Sequence, residues 1–398
     1  MLTPATVANP SEHVPSRTWM ANYFLGASEA ALLADRAHFL TLAGGSLAFR
    51  HVDGTTVWPA GTYQCPTIAS LREQVESSTA HPATRAASDV PLTVADGIDI
   101  GQLQARLTTE QRALVQIASN FNALEVPSRD AAPDYGSLVT NYAVDSTQGP
   151  AASFGVPAAS ILRAHYPFFR TDASGASAAD TWGQTAERQI ELLADVRDHF
   201  GTCVNGKSTI RGNEPPIVAD GAASVAAVAD RIRVGLHTDA QVIFGRGPSR
   251  DTLSVLPPAS RPLVDQVLSA SINLRDPLGG SAHPQSELLV KACLRAAYRG
   301  AYLSAIVRGR RLLLLTLVGG GVFGTPERFI FEAIADAHKE WAPRSQLEEV
   351  QLCLYEKGSA DHARPILDAL LDDGRRGGGG GGDGHGGTSG EASMASLV

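Results

Sequence analysis

Residues 312–341 read LLLLTLVGGGVFGTPERFIFEAIADAHKEW, a continuous apolar run that breaks into three glycines and restarts as an amphipathic helix. Leucines without polar alternation predict a buried strand. Gly319, Gly320 and Gly321 lack a Cβ, so the backbone there can take positive φ and approach a ligand closely, leaving the following amides to donate. Thr325 fits a hydroxyl N-cap and Pro326 the first helical position, where its missing N–H costs nothing. The helix dipole and unpaired N–H groups then face the loop. That makes an anion site at the C-terminal end of a buried strand, where open α/β sheets bind nucleotides. A glycine-rich strand-to-helix turn with no ligand fits the same residues.

Working outward, strand-like runs (ALVQIAS from Ala113, RIRVGLHTDAQVIF from Arg231, EEVQLCLYE from Glu348) alternate with helix-like runs. The helix-like runs are ASILRAHY, AERQIELLADVRDHF, SELLVKACLRAAYRGAYLSAIV and ARPILDALL. Such alternation implies a parallel or mixed sheet with helices on both faces, an α/β fold in three layers. Ahead of it, residues 17–42 have helical periodicity. SLAFRHVDGTTVWP reads as a hairpin turning at Asp53-Gly54 in a type I′ turn, and a helix follows Thr67. A Ser/Thr/Ala/Pro-rich stretch over residues 76–91 marks a boundary. The expected organisation is an N-terminal extension (1–90), an α/β domain (91–373) and a glycine-rich tail (374–398), too poor in apolar residues to order itself.

The 398 residues are 43% hydrophobic, ample for a core, and the formal net charge of -8 argues against a nucleic-acid or anionic-membrane surface. A phosphate-bearing ligand would have to rely on backbone amides and helix ends. Cys65, Cys203, Cys293 and Cys353 lie far apart without CxxC pairing, so neither a zinc site nor a disulfide framework is expected. No apolar run approaches the ~18 residues of a membrane span, and the first residues lack a signal-peptide pattern. Cytosol is the expected location, the nucleus being the other compartment such a chain fits.

Residues 201–208, GTCVNGKS, satisfy the GxxxxGK[ST] phosphate-loop pattern, but the context is wrong. The preceding AERQIELLADVRDHF reads as a helix ending at Gly201 rather than as a buried strand. The following TIRGNEPP contains two prolines and cannot form the helix a phosphate loop requires.

Two other segments gather polar side chains near strand ends. In ALVQIASNFNALE a strand runs into Asn120, Asn122 and Glu125, and in DSTQGP Asp145, Ser146 and Thr147 precede Pro150, which can open a helix. Capping and turn formation also account for each segment alone. Together with GGGVFG and with Gly97-Ile98-Asp99-Ile100, their order resembles the macrodomain family of ADP-ribose-binding α/β/α modules. SNFNALE, DSTQGPA and LVGGGVFG are similar to a divergent branch that removes ADP-ribose from arginine. The resemblance spans residues 91–373; the Gly-Gly-Gly…Gln-Glu-Glu signature of poly(ADP-ribose) glycohydrolases is absent.

That resemblance implies residue roles. Asp99 would accept from the adenine amino group beside Ile100, and Asn120 and Asn122 would hold the distal ribose, Asn122 close to the reacting bond. Thr147, Gln148 and Gly149, with Gly319, Gly320, Gly321, Val322, Phe323 and Gly324, would wrap the diphosphate. Breaking a glycosidic bond through an oxocarbenium-like transition state needs a carboxylate, for which Asp145 is the first candidate and Glu125 the second. No metal or redox cofactor is implied; the expected partners are ADP-ribose and ADP-ribosylated protein. A reader that binds ADP-ribose without cleaving it, and a hydrolase of a free ADP-ribose metabolite, stay open. His237 and Asp239 are too weak a pair for a metal site.

Overall fold

The computed structural model describes residues 12–43, 46–78, 85–128, 131–171, 177–200, 203–208, 222–275 and 286–376. Its centre is a seven-stranded sheet: β1 (Thr62–Gln64), β2 (Leu92–Ala95), β3 (Ala113–Ala118), β4 (Gly235–Gln241), β5 (Leu263–Ser269), β6 (Leu312–Leu315) and β7 (Glu349–Cys353). The spatial order is β1-β4-β5-β3-β6-β7-β2. From β5 to β2 every neighbouring pair is parallel, whereas β4 runs antiparallel to both β1 and β5. The four leucines of β6, flanked by β3 and β7, are all buried, as a strand covered on both faces requires.

Parallel neighbours need long crossovers, and the chain fills these with helices. They are α1 (Ile68–Ser77), α2 (Ile100–Gln104), α3 (Gln148–Phe154), α4 (Pro157–Ala164), α5 (Ala222–Arg231), α6 (Ser286–Val307), α7 (Glu327–Trp341) and α8 (Ser359–Arg376). α1, α5 and α7 pack on α6, and α8 packs on α7; α2 and α4 pack on α3. Two glutamines separate the layers. Gln116 of β3 donates to Ala297 O in α6 (3.2 Å), while Gln266 of β5 donates to Gln104 Oε1 in α2 (2.9 Å) and Ala152 O in α3 (3.2 Å). Gln116 is in register with Val267, the residue after Gln266, so the two side chains point to opposite faces. The three-layer α/β arrangement expected from sequence is the one observed.

The described part of the first ninety residues shares this core. β1 is the edge strand of the central sheet, and Trp19, Phe24, Trp58 and Ile68 belong to the same buried cluster as β3 and β6. Buried Glu29 accepts from the N–H groups of Val139 (3.1 Å) and Thr140 (2.8 Å) and from the Thr140 hydroxyl (2.9 Å), clamping the short helix Leu138–Asn141.

Three local expectations change. The Asp53-Gly54 hairpin forms between Ser46–Arg50 and Val57–Pro59, but with a wider loop: Asp53 Oδ1 accepts from Thr55 N–H (2.8 Å) and Thr56 N–H (3.1 Å), and Gly54 alone has positive φ there. AERQIELLADVRDHF holds only the 3-10 turn Ala194–Val196. Its backbone is used sideways: Leu192 N–H donates to Phe121 O (2.9 Å) and Leu192 O accepts from Arg233 N–H (2.9 Å), which overrides helical propensity. Finally, α8 continues to Arg376, past the expected boundary at 373; residues 377–398, the bulk of the tail, lie outside the described residues.

Candidate functional site

Because β2, β3, β5, β6 and β7 are parallel, their carboxyl ends meet on one edge of the sheet. Three loops emerge there: residues 119–126 after β3, 270–275 after β5 and 316–326 after β6.

The glycine loop of residues 319–324 is held from below and open above. Thr325 N–H donates to Gly319 O (3.0 Å), and the buried Thr325 hydroxyl lies 3.5 Å from Ser271 Oγ. Thr325 therefore ties the loop to the segment after β5 instead of capping α7. Pro326, with ψ 127°, takes the N-cap position outside the helix, which starts at Glu327. This corrects the expected Thr325 cap and Pro326 first turn. Gly319 and Gly324 adopt φ of +78° and +67°, a region that favours glycine. Gly320 N–H donates to Leu317 O (3.2 Å), and Phe323 O accepts from Leu274 N–H (2.9 Å). Among the described residues the N–H groups of Gly321, Val322 and Phe323 have no protein acceptor, and Val322 is 64% exposed. Backbone donors at the end of a buried strand suit an anion.

Residues 119–126 form a second, sealed element. Asn120 N–H donates to Leu124 O (2.9 Å) and Ala123 N–H to Asn120 O (2.9 Å), closing a turn in which buried, non-glycine Ala123 has φ +58°. Such strain persists only where the surroundings enforce it. The turn delivers Glu125, whose N–H donates to Tyr142 Oη (2.9 Å). Glu125 keeps an exposed edge, but its Oε1 is sealed and, among the described residues, has no hydrogen-bond partner; the same holds for Gln148 Nε2 at the start of α3. A Cβ on Gly149 would fall 2.6 Å from Glu125 Cδ and Oε1, so glycine is what lets α3 approach the carboxyl. Burial, and after it the charge of Asp145, push the Glu125 pKa well above the carboxylate range, while Arg163 and Lys207 pull the other way. A carboxyl biased toward its protonated form is suited to donating a proton as well as accepting one.

The other expected residues are distributed around this pair of loops. Asp145 Oδ1 accepts from Thr147 N–H (2.7 Å) and the Thr147 hydroxyl (2.6 Å), a turn leading into α3. Gln148 Oε1 accepts from the N–H of buried Ile100 (2.9 Å), coupling α3 to α2. Asp99 caps α2 by accepting from Gln102 N–H (2.9 Å), and its other oxygen pairs with Arg246 Nε (3.0 Å). Asn122 is fully buried. Its amide donates to Gln189 Oε1 (2.9 Å), its side-chain oxygen accepts from Leu124 N–H (3.2 Å) and its carbonyl accepts from Gln184 Nε2 (3.0 Å). Asn120 Nδ2 donates to Val126 O (3.3 Å). Both asparagine side chains are engaged in the turn, Asn122 through its amide and its oxygen and Asn120 through its amide. His237 is a core group: Nε2 meets Ala60 O at 2.5 Å, and burial followed by Arg163 lowers its pKa to about 3.

Sequence reasoning missed Arg163, buried beneath α3 and donating to Ser153 Oγ (3.4 Å) and Ser160 Oγ (3.0 Å), because a lone arginine in an apolar helix carries no pattern. It also missed Gln184 and Gln189, which brace the turn from a segment with no motif.

Comparison with known proteins adds the following. No family model and no curated protein matches the chain. Solved structures with a similar chain path include poly(ADP-ribose) glycohydrolase from Thermomonospora curvata bound to the inhibitor ADP-HPD, at 13% identity and a TM-score of 0.43, covering 86% of this chain and 98% of that one. The apo enzyme from Deinococcus radiodurans is 12% identical with a TM-score of 0.42, covering 78% and 93%. Its complex with ADP-ribose is 13% identical with a TM-score of 0.42, covering 78% and 95%. Likeness at this level bears on neither residues nor chemistry. Among the described residues no helix is long and apolar enough to cross a membrane, and no cluster of three His, Cys, Asp or Glu forms a metal site.

Proposed function

We propose that this chain is an ADP-ribosyl hydrolase whose substrate is ADP-ribosylated arginine on proteins. The supporting observation is the sealed, partnerless Glu125 oxygen, set on the same sheet edge as the open amides of the glycine loop. In this reading the diphosphate lies on the N–H groups of Gly321, Val322 and Phe323. The distal ribose then reaches toward Glu125, whose carboxyl manages the proton as the glycosidic bond opens and water adds. Asp145, engaged by Thr147, is the second carboxylate, and its charge adds to burial in raising the Glu125 pKa. An acidic pair also favours a cationic guanidinium leaving group over neutral linkages.

The test is ADP-ribose release by the purified chain from arginine-modified, glutamate-modified and serine-modified protein and from poly(ADP-ribose). Release from the arginine conjugate alone is expected. Release only from poly(ADP-ribose) would replace the substrate, and release from none, with ADP-ribose still bound, would make the chain a reader.

A further inference from the structure

The chain between the short helix Leu138–Asn141 and α3 is anchored on both sides of one residue, Tyr142. Ahead of it, Glu29 accepts from the N–H groups of Val139 and Thr140, and Trp19 Nε1 donates to Thr140 O (3.1 Å). Behind it, the Arg246 guanidinium donates through Nη1 to Ala143 O (2.9 Å) and through Nη2 to Asp145 O (3.2 Å). That guanidinium is itself held by Asp99 and lies over the Phe154 ring of α3, with Cζ 4.4 Å from the ring centroid. Tyr142 is 3% exposed, and its hydroxyl accepts from Glu125 N–H at 2.9 Å. The turn before Glu125 closes mostly on itself, through Asn120 N–H to Leu124 O, Ala123 N–H to Asn120 O and Leu124 N–H to Asn122 Oδ1. Glu125 N–H instead takes its acceptor from Tyr142, and a buried N–H stripped of an acceptor is costly.

We propose that Tyr142 is a positioning residue for the candidate reaction: its hydroxyl fixes the Glu125 main chain and so keeps the carboxyl in its sealed seat. Among the described residues no hydrogen bond holds the Glu125 side chain, so its place depends on its main chain and on packing against α3 at Gly149. The tyrosine supplies the first of these. Because Glu29 and Trp19 fix the segment that carries Tyr142, the N-terminal residues act on the site through it rather than only covering the sheet. The inference rests on the reading that Glu125 is the reacting group.

Tyr142→Phe keeps the ring and removes the acceptor. On arginine-modified protein its turnover should fall roughly 10–100-fold while KM and the Kd for ADP-ribose stay within about twofold, the pattern of a displaced reacting group in an intact fold. Full turnover, or equal loss of turnover and of ADP-ribose binding, overturns the inference. A second readout needs no turnover: the Glu125 carboxyl is titrated by 13C NMR of glutamate-labelled full chain, its signal assigned by loss in Glu125→Gln. In Tyr142→Phe the released carboxyl gains water, so its midpoint should fall by roughly 0.5–1 pH unit. Asp145, Arg163 and Lys207, the other charged groups acting on it, are left in place by the substitution. An unmoved midpoint overturns the inference. Glu29→Gln loosens the same segment from its other end and should move the midpoint the same way by less; if Tyr142→Phe does not fold, an unmoved midpoint in Glu29→Gln overturns it. A wild-type chain that hydrolyses nothing defeats the proposed function and leaves the midpoint to decide the role of Tyr142 alone.

Discussion

The glycine loop at residues 319–324 and the turn at residues 119–126 leave adjacent strands of one sheet, yet they are built in opposite ways. The first keeps backbone donors open, exposes Val322, and places only Thr325 in the core. The second spends its backbone and both asparagine side chains on itself, accepts a strained Ala123, and seals one carboxyl oxygen without a partner. The contrast teaches a division of labour. A surface that binds through main-chain N–H groups tolerates exposure, while a carboxyl whose proton affinity must be shifted has to be buried and crowded.

If that division is right, substitutions in the two regions should fail differently. The largest effect is expected for Glu125→Gln, which should lower turnover by about 10²–10⁴-fold with ADP-ribose affinity nearly unchanged, because a proton-transfer group is lost and the fold is not. Stopped assays alongside calorimetric binding check it. Gly149→Ala should cost roughly 3 kcal/mol or more of stability, since the new methyl meets the Glu125 carboxyl and the backbone at Ala118 at once. Urea unfolding measures this, and a loss under 1 kcal/mol would show that α3 can withdraw freely.

Glu125→Gln has a stability signature of its own. The folded pKa of Glu125 is raised, so its stabilising contribution is fully present below the ordinary carboxylate pKa near 4.3 and is lost as pH rises through the folded value. Replacing it should therefore stabilise the protein at pH 7–8, by roughly 1–3 kcal/mol, with the gain vanishing at about pH 4. A melting temperature difference that is flat with pH contradicts a shifted carboxyl. In the glycine loop, Gly319→Ala should cost about 1–2 kcal/mol because its φ is +78°. Gly321→Ala, with open space around it, should change stability by less than about 0.5 kcal/mol.

Much of the architecture was legible because the relevant signals are local and repetitive. Four consecutive leucines, the glycine run and the amphipathic ERFIFEAIADAHKEW define β6, its loop and α7 without reference to the rest of the chain. The alternation of strand and helix then fixes the layers. The site was legible only in part. Asn120, Asn122, Glu125 and Gly149 stand out as polar or small residues at strand ends, but whether an amide faces a ligand or its own turn depends on Gln184 and Gln189, more than sixty positions away. Asp99 is paired with Arg246, which comes from a distant part of the chain. Pairings that long in sequence leave no periodicity to read. The same holds for AERQIELLADVRDHF, whose helical pattern lost to hydrogen bonds with Phe121 and Arg233.

The most direct test compares ADP-ribose release from arginine-modified protein by the wild-type, Glu125→Gln and Asp145→Asn chains, with ADP-ribose binding measured on each. The expected result is loss of turnover in Glu125→Gln with binding kept, and a smaller loss in Asp145→Asn. Full turnover in Glu125→Gln, with or without loss in Asp145→Asn, would contradict the assignment of the sealed carboxyl as the reacting group.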